Sequence, residues 1–208
     1  MLINIRGTSG SGKSSLVREI IARYATVEHF KPEGIDYPKE RRQPWAYRCR
    51  MEDAKHRELM ILGHYETACG GCDTLAPMDF IFNFARLGHT LGYDVLFEGL
   101  LISADFNRTV ALHNDGLPLI VIGLDLPLDV CTASIEERRE RGYQERLRKA
   151  QEAGKPAPKR PKPLNAANTE SKWKGTRSTM RKLQEAGATA EWHDRDSALE
   201  RIIGALDL

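Results

Sequence analysis

The sequence predicts an α/β fold in three layers, with a parallel sheet covered on both faces by helices. Three observations carry that prediction. Apolar runs of strand length alternate with segments of helical period along the 208 residues. The stretch 117–124 is apolar from end to end, as a strand buried on both faces must be. A short apolar strand, a glycine-rich loop and an amphipathic helix also follow one another directly within residues 2–24. The length suits one domain with enough interior to bury a sheet.

The elements follow in order. Leu2, Ile3 and Ile5 make the first strand, and residues 13–24 form a helix with Leu16, Val17, Ile20 and Ile21 on one face. Residues 27–30 read as a second short strand. Pro32, Gly34, Pro38 and Pro44 then hold 31–44 in loop or turn. Segments 45–51 and 59–65 fit either strands or helix ends. Residues 78–91, rich in Phe and Leu, predict a helix, and 93–97 a buried strand ending at Glu98 and Gly99. A weak helix near 104–113 leads to the strand at 117–124. Residues 127–141 follow as a helix, with Pro127 in its first turn and Leu128, Cys131 and Ile135 spaced three to four apart. The run 154–163 is dense in Pro and Lys, which predicts an extended, mobile tip. A helix at 169–186, a strand at 188–192 and a helix at 197–206 complete the chain, giving right-handed crossovers between parallel strands.

Composition narrows the class. No apolar run approaches the roughly 20 residues that span a bilayer, and the apolar start is too short for a signal peptide, so a cytoplasmic protein without a membrane partner is expected. Four cysteines in such a chain do not make a disulfide framework and are read as thiols. The net charge of +2 conceals an asymmetry: residues 138–182 hold 15 Lys or Arg against 4 Asp or Glu, leaving 16 against 25 elsewhere. One segment thus carries +11 and the remainder −9, a local field that attracts phosphates of a nucleotide or of a nucleic-acid backbone.

The chemistry starts at Gly7, Thr8, Ser9, Gly10, Ser11, Gly12, Lys13 and Ser14, a Gly, four residues, then Gly-Lys-Ser, followed by Ser15 and set between the first strand and helix. Glycines let the backbone wrap a phosphate chain with its N–H groups inward, and the helix N-terminus adds positive potential. Lys13 then reaches the β- and γ-phosphates of ATP, and the Ser14 hydroxyl ligates Mg2+. Ligands of parallel sheets sit beyond the carboxyl ends of the strands, where Glu98 is placed to hold the metal or orient the acceptor; a solvated strand-end acid is the plainer alternative. Asp125 ends the next strand in the same way, but Pro127 turns the chain at once. Asp36, in the loop after the second strand, is the choice of general base, against a plain turn-forming role. Arg138 and Arg141, three apart on one helix face, are expected to clamp the transferred phosphoryl group, where a planar fork outperforms Lys. Lys172, Lys174, Arg177 and Arg181 recur at helical spacing around Trp173 and face either phosphate or water.

The segment 64–74 joins polar and aromatic groups in a glycine-bearing loop, as acceptor loops do. Tyr65 is a candidate to stack on a base. Asp73 either accepts hydrogen bonds from that base or caps the next helix. Cys69 and Cys72 have the spacing of half a zinc site, but no second Cys pair exists and His56 or His64 would have to complete it.

At the phosphate loop, at the strand ending in Phe97, Glu98 and Gly99, and at the Arg-rich helix after Leu124, Asp125, Leu126 and Pro127, the chain resembles the small-molecule and polynucleotide kinases of the P-loop superfamily. The resemblance implies a P-loop NTPase fold with a five-stranded parallel sheet in the order 2-3-1-4-5, and an Arg-rich lid, here about residues 138–168, closing over ATP. In phage-type polynucleotide kinases an Asp-Tyr loop after the second strand carries the base, and Ile35, Asp36 and Tyr37 are similar. The loop Gly70, Gly71, Cys72 and Asp73, together with the stretch 168–172, also resembles a group of phage kinases that includes the 5-hydroxymethyluracil DNA kinases. That resemblance implies a nucleotide-type acceptor, a hydroxymethylated pyrimidine in DNA, and accounts for the basic segment, since a kinase acting on a base within DNA must also hold the backbone.

Other readings stay open at this point. A free nucleoside or nucleoside-monophosphate kinase would need fewer positive charges. A switch GTPase would need an Asn-Lys-x-Asp motif, which is absent, and a motor ATPase a hydrophobic strand ending in Asp or Asp-Glu plus a further helical domain. A DNA-binding module retaining the loop would bind tightly in a salt-sensitive way and transfer no phosphate.

Overall fold

A computed structural model describes all residues except 54, 68, 69 and 76. At its centre lies β1 (Leu2–Arg6), every residue of which is buried. Six further strands, β2 (Thr26–Phe30), β3 (Ala46–Arg50), β4 (Leu59–Leu62), β5 (Asp94–Glu98), β6 (Leu119–Leu124) and β7 (Thr189–His193), complete one sheet in the order β2-β3-β4-β5-β1-β6-β7. The sheet therefore has seven strands and not the expected five. Those in β4-β5-β1-β6-β7 run parallel and, numbered among themselves, follow the order 2-3-1-4-5. The extra pair, β2 and β3, is added antiparallel at the β4 edge.

The reason lies in the connections. Parallel neighbours need a crossover of a dozen or more residues, usually with a helix. Between β3 and β4 there are only the residues 51–58, and 31–45 form no helix, so these strands pair as antiparallel ribbons. Residues 45–51 and 59–65, which fit either strand or helix end by sequence, thus supply β3 and β4. Phe30 pairs with Ala46 and Ala46 with Leu62, so the β2–β3 connection projects from the same sheet end as the carboxyl ends of the parallel strands.

Alternation along β1 separates two cores. Leu2 faces a layer containing Phe82 and Phe84 of α2 (Met78–Thr90), Leu112 of α4 (Asn107–Asn114) and Leu183 of α6 (Ala166–Glu185). Ile3 and Ile5 face Leu16, Val17 and Ile20 of α1 (Lys13–Ile21) and Ile202 of α7 (Arg195–Leu206). Local sequence fixes the helix starts: the side chain of Asn165 accepts the Asn168 N–H ahead of α6, and that of Asp194 accepts the Ser197 N–H ahead of α7. A single-turn helix α3 (Leu100–Ser103) follows β5.

The remaining helix, α5 (Leu128–Glu152), runs well past the expected end at 141. Only Cys131 and Ile135 of its 25 residues are buried, so its distal two-thirds forms a charged arm. The Pro- and Lys-rich segment returns along it: Arg139 donates to the Lys162 carbonyl (3.2 Å), and Arg160 pairs with Glu140 and lies over Tyr143. No described helix is long and apolar enough to cross a membrane.

Candidate active site

Residues 7–12 link the buried end of β1 to the first turn of α1, where helix N–H groups lack intrahelical partners. The turn is possible because Gly10 has φ +80°, and because a Cβ there would fall on the Cys131 carbonyl oxygen of α5. The loop therefore seats directly on the base of the arm. Lys13 folds over it, donating to the Gly7 carbonyl at 2.8 Å and the Thr8 carbonyl at 3.0 Å. Burial lowers the pKa of this ammonium, while Glu98 and Asp73 raise it. The hydroxyl oxygens of Thr8 and Ser11 are buried and find no hydrogen-bond partner among the described residues.

Glu98, at the carboxyl end of β5, is 1 % exposed and accepts the Ser14 hydroxyl at 2.8 Å. Burial pushes its carboxyl above the ordinary range; Lys13 and the Ser14 hydrogen bond oppose that shift. Gly71 (φ +84°) makes room for it, since a Cβ there would stand 2.5 Å from the Glu98 carboxylate oxygen. In the same loop, Asp73 lies in a one-turn 3-10 helix (Cys72–Thr74) and accepts the N–H groups of Leu100 (2.9 Å) and Leu101 (3.1 Å) at the start of α3. Asp73 thus caps a helix, and in doing so its carboxylate is fixed at the wall of a cavity.

That cavity, of about 550 Å³, opens at the carboxyl ends of the parallel strands. The glycine-rich loop and the start of α1 line it through Ser9, Gly10, Gly12, Lys13, Ser14 and Ser15. Gly70, Asp73, Glu98 and Leu100 form the facing wall, and α5 contributes Ser134, Arg138, Arg141 and Gly142. Lys13, Ser14, Glu98, Asp73, Arg138 and Arg141 thus share one chamber. Lys13 and the loop N–H groups supply donors suited to phosphate oxygens, with the unpartnered hydroxyls of Thr8 and Ser11 buried in the loop outside the cavity lining, and the Ser14 oxygen and Glu98 carboxylate supply hard oxygen ligands suited to Mg2+.

Other candidates lie elsewhere. Asp36 is exposed and lines a separate cavity of about 350 Å³ between the β2–β3 connection and Phe80 and Phe84 of α2. The strand before it, β2, is the antiparallel edge; the second parallel strand is β4, and the loop after β4 carries Asp73. Tyr65 is buried in the core beside Tyr47, its hydroxyl directed to the Leu62 carbonyl (3.4 Å). Asp125 pairs with Arg177, whose guanidinium is sandwiched between Trp173 (4.1 Å) and Trp192 (5.1 Å). Trp173 donates to the Leu126 carbonyl (2.9 Å), so the group clasps α6 to the end of β6. Lys174 and Arg181 form exposed pairs with Glu170 and Glu185, and Lys172 sits on the same helix. Cys69 lies outside the described residues. The buried Cys72 thiol points to the Leu62 carbonyl, and His64 contacts Thr67, Thr74 and Arg41. Among the described residues no group of three or more His, Cys, Asp or Glu is arranged to hold a metal ion.

Sequence reasoning missed two contributors. Arg18 lines the cavity and donates to the Tyr65 carbonyl at 2.9 Å and to that of Thr67; its signal was the spacing of four residues from Ser14, which places both on one helix face. Arg6 is fully buried behind the loop. It donates to Asn4 (2.7 Å), to the carbonyls of Ser103 (3.3 Å) and Asp105 (2.9 Å) and to the Thr109 hydroxyl, while the Ser103 hydroxyl accepts the Gly7 N–H (3.2 Å) and donates to the Gly99 carbonyl (2.7 Å). This strut joins the start of the glycine-rich loop to the segment after Glu98. A charged residue at a strand end gave no sign of it.

No family model matches the chain. Among curated proteins it is 43% identical over 201 residues to the "5-hmdU DNA kinase" of Pseudomonas phage PaMx11, an alignment covering 97% of this chain and 94% of that protein. It is 24% identical over 216 residues to the protein of the same name from Delftia phage PhiW-14, covering 97% and 70%. A third, from Pseudomonas phage M6, is 29% identical over 151 residues, covering 65% and 71%. At 43% identity over 97% of its own length and 94% of that of the first relative, the chain belongs to the 5-hmdU DNA kinase family.

Proposed function

We propose that the chain has a P-loop NTPase fold with an Arg-rich lid, and that it moves the γ-phosphoryl group of ATP to the hydroxymethyl oxygen of 5-hydroxymethyluracil in phage DNA, within the host cytoplasm. The observation that carries the reading is the single cavity in which Lys13, the Ser14–Glu98 pair, Asp73 and two arginines of α5 converge. A family of relatives named for that acceptor supports it.

Residues 7–15 hold the phosphate chain through backbone N–H groups, the loop hydroxyls and the α1 terminus. Ser14 and Glu98 would hold Mg2+, which would supply positive charge to offset the charge of the phosphate chain. Lys13 and the forks of Arg138 and Arg141 stabilise the charge spread over the transferred group. The base is rotated out of the stack to bring its hydroxymethyl group into the chamber. Asp73 is the carboxylate placed to accept the hydroxyl proton as the O–P bond forms, since it lines the cavity and Asp36 does not. On this reading Asp73→Asn lowers kcat by about 10²- to 10⁴-fold and Asp36→Asn changes it little. The reverse order would return the base to Asp36.

The acceptor is tested by γ-labelled ATP transfer to an oligonucleotide bearing 5-hydroxymethyldeoxyuridine, a thymine control of the same sequence, and the free hydroxymethylated nucleoside and nucleotide. Label on the modified oligonucleotide alone is expected. Label on the free nucleoside or nucleotide alone would reassign the chain to small-molecule phosphorylation, and ATP hydrolysis without any labelled acceptor to the ATPases.

A further inference from the structure

The β2–β3 extension has no part in the mechanism above, yet it brings a second cationic site to the rim of the same sheet end. A cavity of about 180 Å³ lies between the end of β2 and the start of β3, walled by His29, Lys31 and Arg41 and floored by Phe30 and Trp45. His29 is committed to Glu66 at 2.8 Å. Lys31 and Arg41 are different: among the described residues neither has a carboxylate partner within ion-pair distance. Lys31 lies over the Tyr37 ring (4.9 Å), and Arg41 lies over the Trp45 ring (5.1 Å) and donates to the Gln43 carbonyl (3.0 Å) and the Thr74 hydroxyl (3.2 Å). Two cations held by rings and neutral acceptors keep their full charge for an outside anion.

The position selects the anion. Thr74, which Arg41 grips, directly follows Asp73 in the wall of the catalytic cavity. The pocket thus borders the half of the chamber facing the acceptor, on the side away from the basic arm of α5. A nucleic-acid strand whose base enters the chamber must leave it over both rims, and each rim then meets phosphates. We propose that Lys31 and Arg41 bind a backbone phosphate of the acceptor DNA strand, so that the strand is held on both sides of the extruded base. This rests on the reading of DNA as acceptor.

The test is steady-state phosphorylation of the modified oligonucleotide at several salt concentrations by the parent, Lys31→Gln, Arg41→Gln and a control, Lys55→Gln, which removes a charge at the opposite sheet end. Lys31→Gln is expected to raise KM for the oligonucleotide about three- to tenfold and to reduce the salt slope of kcat/KM by about one, with kcat and the ATP KM unchanged. Arg41→Gln should do the same and also lower kcat through the lost bond to Thr74, so Lys31 is the decisive variant. Indistinguishable KM and slope for Lys31→Gln and Lys55→Gln would overturn the proposal, leaving the DNA reading intact. Parent enzyme that neither binds a fluorescent oligonucleotide nor phosphorylates it overturns both. A pocket that instead takes an acidic protein would leave every oligonucleotide parameter of Lys31→Gln at the parent value.

Discussion

Lys13 packs against two carbonyls of its own loop and is 8 % exposed, yet its aliphatic stem contributes little to either core. Its value is electrostatic, so Lys13→Ala should reduce phosphoryl transfer by about 10²- to 10³-fold or more while the unfolding temperature changes by only a few degrees, read from single-turnover transfer and thermal scans. Retained turnover would remove the mechanism. Glu98 makes the complementary case. Burial, the largest influence, raises its carboxyl pKa, so the folded chain favours the protonated acid more than the unfolded chain does. Its contribution to stability is therefore complete at low pH and is lost as pH climbs through the raised value. Glu98→Gln fixes the neutral form. Without divalent cation the variant should melt above the parent at about pH 8 and approach it at about pH 4. Addition of Mg2+ and nucleotide should stabilise the parent and not the variant; a variant less stable than the parent at both pH values would contradict this account.

At the scale of elements, the decisive junction is the glycine-rich loop against the first turns of α5. Gly10 touches the Cys131 carbonyl and has a left-handed backbone, so Gly10→Ala meets strain and a clash together. A loss of about 1–3 kcal/mol is expected by chemical denaturation, with ATP affinity falling in parallel. The loop, α1 and the strands β5, β6 and β7 were legible because each announces itself locally, by the Gly-Lys-Ser signature or by unbroken apolar stretches. The pair β2 and β3 was only half legible. A strand's direction depends on its partner, and nothing local in 26–50 says that the chain turns back instead of crossing over. That one ambiguity bears on the choice of base, because Asp36, the residue expected from sequence, follows the second strand in sequence, whereas Asp73, the base proposed above, follows the second parallel strand in space. Tyr65 misled for a related reason: an aromatic near glycines looks available, and only the packing of Tyr47 against it reveals that the ring belongs to the core.

On the scale of the whole molecule, charge and architecture are separated. The segment carrying +11, residues 138–182, maps onto the distal part of α5, the returning Pro- and Lys-rich stretch and most of α6, while the rest of the chain, including the acidic first turns of α5, carries −9. This imbalance was visible in composition; its shape was not, because a helix with two buried residues in 25 follows no core periodicity. Replacing Lys and Arg in 155–182 by Gln, while sparing Arg177, whose bond to Asp125 is structural, should weaken oligonucleotide binding and flatten its salt dependence, measured by anisotropy titration. A change confined to the Michaelis constant for ATP would make the segment a nucleotide cover alone.

The interior guanidinium of Arg6 has a consequence for anyone sorting variants by phenotype. It sits beneath the glycine-rich loop as a keystone, far from solvent, and pins three backbone segments to one another. A shortened side chain at that position would therefore loosen the architecture and blunt catalysis together, so a defect that looks enzymatic in an assay would have its origin in the masonry of the sheet.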